Sequence, residues 1–277
     1  MSRAGLCDAR GYQIRGIIPE MENKENKCTL SVRDLTFAYE ADRPVLDGIS
    51  FDVAPGEAVG LIGANGVGKS TLLKLLVGLE MPQGGEILYR KEDAAAGEQS
   101  AAAGTDGRMI RLAKDTLAQI RRRVGYVFQD SESQLFLTTV EEDVAFAPRN
   151  YGYPEEEVQR RVTDALTQVR AEHLRRRSIH KLSGGEKKQV SIATILATGP
   201  ELVLLDEPSI ALDPANRRNL IRVLNDLPGA KLIASHDLDL VRDVCERTIL
   251  MHGGRIIKDG RTDEILCDRA LLESNGL

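Results

Sequence analysis

GANGVGKST, residues 63 to 71, sits between the apolar run Ala58 to Ile62 and the helix-like run Thr71 to Val77. It matches G-x-x-x-x-G-K-[ST] through Gly63, Gly68, Lys69 and Ser70, with the strand before it and the helix after it that this motif requires. The residue types follow from the ligand such a loop holds. A triphosphate carries several negative charges and needs many short donors with no side chains in the way. Glycines let the backbone close in, and the amides of the loop and the helix start point at the phosphates, with the positive end of the helix dipole behind them. Lys69 is placed to reach the β and γ phosphates, and Ser70 to put its hydroxyl on Mg²⁺, which takes few protein ligands and keeps several waters. Asn65, Gly66 and Thr71 complete the stretch expected to contact the triphosphate. A glycine-rich turn without a ligand would have no need of Lys-Ser after its last glycine.

Working outward, the flanking chain has an α/β pattern. Leu35, Phe37 and Tyr39 alternate, and Ile49, Phe51 and Val53 repeat the alternation after the turn around Asp42 to Pro44, which predicts two antiparallel strands. Tyr39 ends the first of them, where its ring either packs or stacks on a base. A short strand, Glu86 to Tyr89, runs into AAAGEQSAAAGTDG, residues 94 to 107, whose small polar residues bury too little surface to offset chain entropy and which reads as a mobile insertion. RLAKDTLAQIRRRV, residues 111 to 124, has helical spacing in Leu112, Leu117, Ile120 and Val124, and its basic remainder reads as a solvated face rather than a phosphate-binding patch. VGYVFQ, residues 124 to 129, reads as a strand ending at Gln129. Residues 131 to 181, with Glu155 to His173 the clearest helix, read as a helical lobe inserted between core strands.

LSGGEKKQV, residues 182 to 190, opens a further helix in which Ser183 and Glu186 make a capping-box pattern. That pattern accounts for Ser and Glu but not for Gly184 and Gly185, which would bring bare backbone donors to a phosphate. ELVLLDEP, residues 201 to 208, is a continuous apolar run ending in acids, as a buried parallel strand with its ligand end at the C-terminus should be. Asp206 and Glu207 point differently because they are adjacent. Asp206 suits a Mg²⁺ contact and Glu207 suits orienting the attacking water. KLIAS, residues 231 to 235, carries His236 to the same edge, where it packs or contacts a γ phosphate, and TILM followed by GRIIKDG forms a hairpin turned by Gly253 and Gly254.

The chain has 277 residues, enough for one α/β core and a smaller attached lobe. A formal charge of −5 and a pI near 5.6 leave no global basic footprint, so nucleic acid is not expected as a partner. Cys7, Cys28, Cys245 and Cys267 lack metal-like spacing and fit a reducing cytoplasm. Apolar runs such as Leu202 to Leu205 are far below the roughly 18 residues that span a bilayer. Residues 1 to 28 are polar and read as a disordered extension without a secretory pattern, with Met21 an alternative start.

Taken in order, GANGVGKST, Gln129, LSGGEKKQ, LLDEPSIALD and His236 resemble the ATP-binding subunit of ABC transporters over residues 29 to 265, with 266 to 277 a short tail. LSGG decides the resemblance, because other phosphate-loop ATPases lack it. The resemblance implies a phosphate-loop core with a mainly parallel sheet, an antiparallel β lobe and an inserted α-helical lobe. It implies ATP and Mg²⁺ as cofactors and a head-to-tail dimer, with itself or a related ATPase subunit, in which Ser183 and Gly184 of one subunit close on the γ phosphate held by the other. It assigns Mg²⁺ to Asp206 and Gln129, water to Glu207 and the γ phosphate to His236, and it makes Asp213 a link between the two sites. VFQDSESQLFLTTVEEDVAFAPRN looks most like the energy-coupling-factor importers for cobalt, nickel and vitamins, although Asp130-Ser131 stands where the family usually has Asn-Pro and Ala147 where it has Gly. SHDLDLV and DGRTDEIL agree, and the short tail looks most like the metal branch. The implied partners are a transmembrane coupling subunit and a substrate-binding membrane subunit, which would place the chain peripherally on the cytoplasmic face of the membrane. The transported ion would be held by that separate subunit and not by this chain. Two other classes compete: a soluble ABC ATPase acting on nucleic acid or the ribosome, whose second cassette, coiled coil or zinc cysteines are not visible, and a non-hydrolysing regulator, which would lack Glu207. An apolar set formed by Gln134 to Phe136, Val140, Val144 and Phe146 is expected to form a groove for a helix of the membrane subunit, although Phe146 equally suits packing inside the lobe.

Overall fold

The computed structural model describes residues 29–40, 43–91 and 109–277. The expected extension over 1–28, the insertion over 94–107 and part of the turn at Asp42 lie outside these residues.

Strands β1 (Leu30–Glu40) and β2 (Arg43–Val53) pair antiparallel, and β3 (Ala58–Ile62) leads through the glycine loop into α1 (Lys69–Leu76). Next come β4 (Gly84–Arg90), β5 (Met109–Arg111), α2 (Leu117–Arg123) and β6 (Val124–Val127). Helices α3 (Val140–Asn150), α4 (Glu155–Gln168) and α5 (Gly184–Leu196) precede β7 (Leu202–Asp206), which is followed by α6 (Pro214–Asp226), β8 (Ala230–Ala234) and α7 (Leu238–Val244). A hairpin of β9 (Arg247–His252) and β10 (Arg255–Arg261) and the short helices α8 (Thr262–Cys267) and α9 (Arg269–Ser274) complete the chain.

Two sheets result. An antiparallel one has the order β2-β1-β4-β5. The other has the order β10-β9-β3-β8-β7-β6, parallel from β9 to β6 with β10 antiparallel at its edge. The apolar runs of the parallel strands follow from burial on both faces. Along β7, Leu202 and Leu204 join one apolar cluster with α1 and the antiparallel sheet, while Val203 and Leu205 join the other with α5, α6 and α7. Residues of α3 and α4, including Val140, Val144, Val158 and Val162, belong to that second cluster, so the helical segment shares its core with the sheet. All the parallel strands end on the same edge, the side on which open α/β sheets bind ligands.

Three expectations need correction. The helix expected over 111–124 begins only at Leu117, because Met109–Arg111 add to the sheet edge at β4 and the Leu112 amide continues the pairing to the Ile87 carbonyl at 2.8 Å. Strand-edge hydrogen bonds override helical periodicity there. The helix expected to run from Glu155 to His173 stops at Gln168, where Arg170 turns left-handed (φ 59°) and reverses the chain. The apolar set expected to form one exposed groove is split. Leu135, Val140 and Val144 are buried, and only Phe136 and Phe146 are exposed, their rings edge to face at 4.8 Å. Gln134 belongs to neither group, since its amide nitrogen donates to Ser191 O at 2.7 Å and to Thr194 Oγ1 at 2.9 Å.

Candidate functional site: a phosphate loop facing two buried acids

The loop leaves β3 through backbone conformations that a side chain resists. Gly63 has φ 152°, and a Cβ there would lie 2.5 Å from the Met251 carbonyl oxygen. Gly68, the N-cap of α1, has φ 108°. Gly66 also has positive φ (79°), but nothing lies within 4 Å of where its Cβ would be, so that stretch of backbone is open to the cleft. The loop curls over its own lysine. Lys69, the first residue of α1, is buried and donates from Nζ to Gly63 O at 2.7 Å and to Ala64 O at 3.3 Å. Its Nζ lies 3.9 Å from Glu207 Oε1. Burial lowers its pKa, and the charges of Glu207 and Asp206 oppose that shift.

Asp206 ends β7 and is buried. It accepts from Ser70 Oγ at 2.9 Å on one oxygen and from the Tyr126 hydroxyl at 3.1 Å on the other. Burial raises its pKa, against which both hydrogen bonds act. Glu207 follows in a left-handed conformation (φ 46°), pinned by its amide to Ala234 O at 2.8 Å. Its Oε2 accepts from the His236 amide at 3.1 Å and from Ser235 Oγ at 3.3 Å, and it lies 2.8 Å from His236 Nδ1. The His236 side chain is half exposed at the end of β8.

Lys69, Ser70, Glu207 and His236 line one cleft of about 480 Å³ with Asn65, Gly66, Gly68 and Thr71 of the loop and with Gln129, which lies just past the end of β6 at Val127 and not on the strand as expected. Tyr39 overhangs it, 56% exposed, with its hydroxyl 3.4 Å from Thr71 Oγ1. Sequence reading missed Tyr126 and Ser235. Strand parity carried a signal for Tyr126: it pairs with Leu204, two residues from Asp206, and so shares that face of the sheet. The Glu207 conformation left no trace, since left-handed backbone there depends on the neighbouring strand.

Ser183, Gly184, Gly185 and Asp213 do not line this cleft. Ser183 caps α5 with the expected box, its amide donating to Glu186 Oε2 at 2.7 Å and its Oγ accepting from the Glu186 amide at 3.4 Å. Asp213 caps α6, accepting from the Ala215 amide at 2.8 Å and the Asn216 amide at 2.9 Å. Gly184 is open, whereas Gly185 is bare for packing: a Cβ there would sit 2.3 Å from Asn216 Cγ. Asn216 cannot simply swing away, because its amide donates to Asp213 Oδ2 at 2.6 Å. Gly185→Ala is therefore expected to destabilise the fold by about 1–3 kcal/mol, as overpacking does, while Gly184→Ala changes stability much less. Urea unfolding of both variants checks this.

A family model described as ABC transporter matches residues 46–210. A putative ABC transporter ATP-binding protein of Geobacter sulfurreducens is 44% identical over 88% of this chain and 90% of its own. The energy-coupling factor transporter ATP-binding protein EcfA of Methanothermobacter thermautotrophicus is 40% identical over 90% of this chain and 76% of its own. The cobalt import ATP-binding protein CbiO of Salmonella typhi is 38% identical over 90% and 86%. Among solved structures, CbiO1 of Clostridium perfringens, part of the ABC transporter complex CbiONQ, superposes with a TM-score of 0.75 at 33% identity, covering 90% of this chain and 94% of that one. With a matching family model, close relatives along most of its length and both acids set against the phosphate loop, the chain belongs to the ATP-binding subunits of ABC transporters, ATPases whose hydrolysis is coupled to transport.

Proposed function

We propose that this chain hydrolyses MgATP in the cleft at the ends of β3, β6, β7 and β8 and thereby energises an energy-coupling-factor importer of cobalt or nickel ions. The observation that carries the ATP reading is the convergence of Lys69, Ser70, Asp206 and Glu207 beneath one glycine loop. Lys69 exchanges the loop carbonyls for β and γ phosphate oxygens. The Gly63, Gly66 and Gly68 backbone, with Asn65 and Thr71, encloses the phosphates, and Tyr39 stacks on the base. The Ser70 hydroxyl and Asp206 carboxylate, 2.9 Å apart, are the hard oxygen donors that Mg²⁺ takes, and Gln129 lines the same cleft as Ser70. When bound, Mg²⁺ neutralises charge on the β and γ phosphates. Glu207 orients and polarises the attacking water, and His236, held through Nδ1, has Nε2 left for the γ phosphate. A second subunit, a copy of this chain or a related ATPase, brings Ser183, Gly184 and Gly185 to that phosphate, and Asp213 links the two sites.

The cobalt or nickel assignment is supported by relatives named for cobalt import and for energy coupling. Among the described residues, no helix is long and apolar enough to cross a membrane, so the reading requires a transmembrane coupling subunit and a substrate-binding membrane subunit, with this chain on their cytoplasmic side. Reconstitution with both membrane subunits in vesicles tests it. ATP-dependent uptake of labelled cobalt or nickel is expected, and uptake of a vitamin in their place would overturn the substrate.

Phe136 and Phe146 are the exposed apolar pair nearest Gln129 in the chain and are proposed to receive a helix of the coupling subunit. Phe136→Ala is expected to leave ATP binding and folding intact and to weaken assembly by about 2 kcal/mol or more, as loss of a central aromatic anchor does. Pull-down with the coupling subunit and uptake by the variant measure this, and normal values of both would refute the docking role.

A further inference from the structure

Beyond Val127 the chain leaves the sheet, and side chains fix residues 128–134 on α5 instead. Lys188 is 4% exposed, and its Nζ donates to Phe128 O at 3.0 Å and to Gln129 O at 2.9 Å. Gln134 accepts from the Phe128 amide at 3.1 Å while donating to Ser191 and Thr194 of α5, and Lys187 pairs with Glu132. An apolar side chain would fill the Lys188 site without the desolvation a cation incurs. Burial pulls its pKa down to about 8, with Asp130 and then Asp206 opposing. What the ammonium provides and an apolar group cannot is a bond to both carbonyls at the root of Gln129. Little more than one helical turn separates Lys188 from Ser183, so the two ends of this connection sit on one rigid piece of helix.

We infer that Lys188 is a positioning residue that makes Gln129 follow the start of α5, so that engagement of Ser183 by the partner's nucleotide is felt at the chain's own ATP site. This rests on the proposal that Ser183 and Gln129 serve two different nucleotides. Coupling between sites then takes the form of cooperative hydrolysis.

The test is the ATP dependence of steady-state hydrolysis by the full chain, read as a Hill coefficient, beside equilibrium ATP binding to the separated monomer. Wild type is expected to approach a coefficient of about 2, and Lys188→Met to fall to about 1 with monomer affinity within about twofold, a split that a merely structural role would not produce. Gln134→Met, which removes the second tie, is expected to lower the coefficient as well, and it carries the test alone should Lys188→Met fail to fold. An unchanged coefficient in a folded variant, or a wild-type coefficient of 1, overturns the inference. ATP-dependent dimerisation of Glu207→Gln is measured in parallel. If the dimer forms and the coefficient is unchanged, only the role of Lys188 falls. If no dimer forms, pairing of the chain with its own copy falls and the inference with it.

Discussion

Glu207→Gln is expected to slow ATP hydrolysis by about a hundredfold or more, roughly 3 kcal/mol of transition-state stabilisation, while ATP binds at least as tightly as before. The amide is nearly isosteric, so its oxygen still accepts from the His236 amide and Ser235 Oγ and holds the left-handed turn. What it loses is the negative charge proposed to polarise water. The same loss removes a carboxylate 3.9 Å from Lys69, freeing that cation for the phosphates and relieving repulsion of the triphosphate. Binding and turnover therefore move in opposite directions, which general damage to the site would not cause. Single-turnover hydrolysis beside equilibrium nucleotide binding measures both, and hydrolysis at the normal rate would remove Glu207 from its assigned role.

Lys69→Ala should abolish tight ATP binding, with a loss of about 3 kcal/mol or more, above a hundredfold in Kd. The lysine is the buried cation facing Asp206 and Glu207. Without it two buried carboxylates confront a triphosphate. Lys69→Arg is not expected to rescue binding, because the larger planar guanidinium does not fit the enclosed space beneath the loop that the compact ammonium occupies. Titration calorimetry with MgATP decides the matter, and binding within twofold of wild type would contradict it.

The glycine loop, the apolar β7 run ending in Asp206 and Glu207, and the capping box at Ser183 were all legible in sequence because each is local: backbone conformation, strand burial and cap chemistry are set within a few residues. The parts that were not legible depend on partners distant in the chain. Leu135 and Phe136 are adjacent and both apolar, yet one is buried and the other exposed, because Asp143 accepts both the Phe136 and Leu137 amides at 2.9 Å and sets which way the turn faces. The packing reason for a bare Gly185 was not legible either, because Asn216, whose side chain fills that space, lies on another helix. The start of α2 was misplaced because the edge of β4 was available to extend through Met109–Arg111.

The measurement that bears most directly on a shared, ATP-closed site is light scattering of Glu207→Gln with and without MgATP. A single 30.4 kDa chain without nucleotide and a particle of twice that mass with it are expected, because one chain carries both the phosphate loop and the Ser183 edge proposed to complete its partner's site. A species that remains a monomer at high concentration with saturating MgATP would contradict self-pairing and argue for an obligate different ATPase subunit as partner.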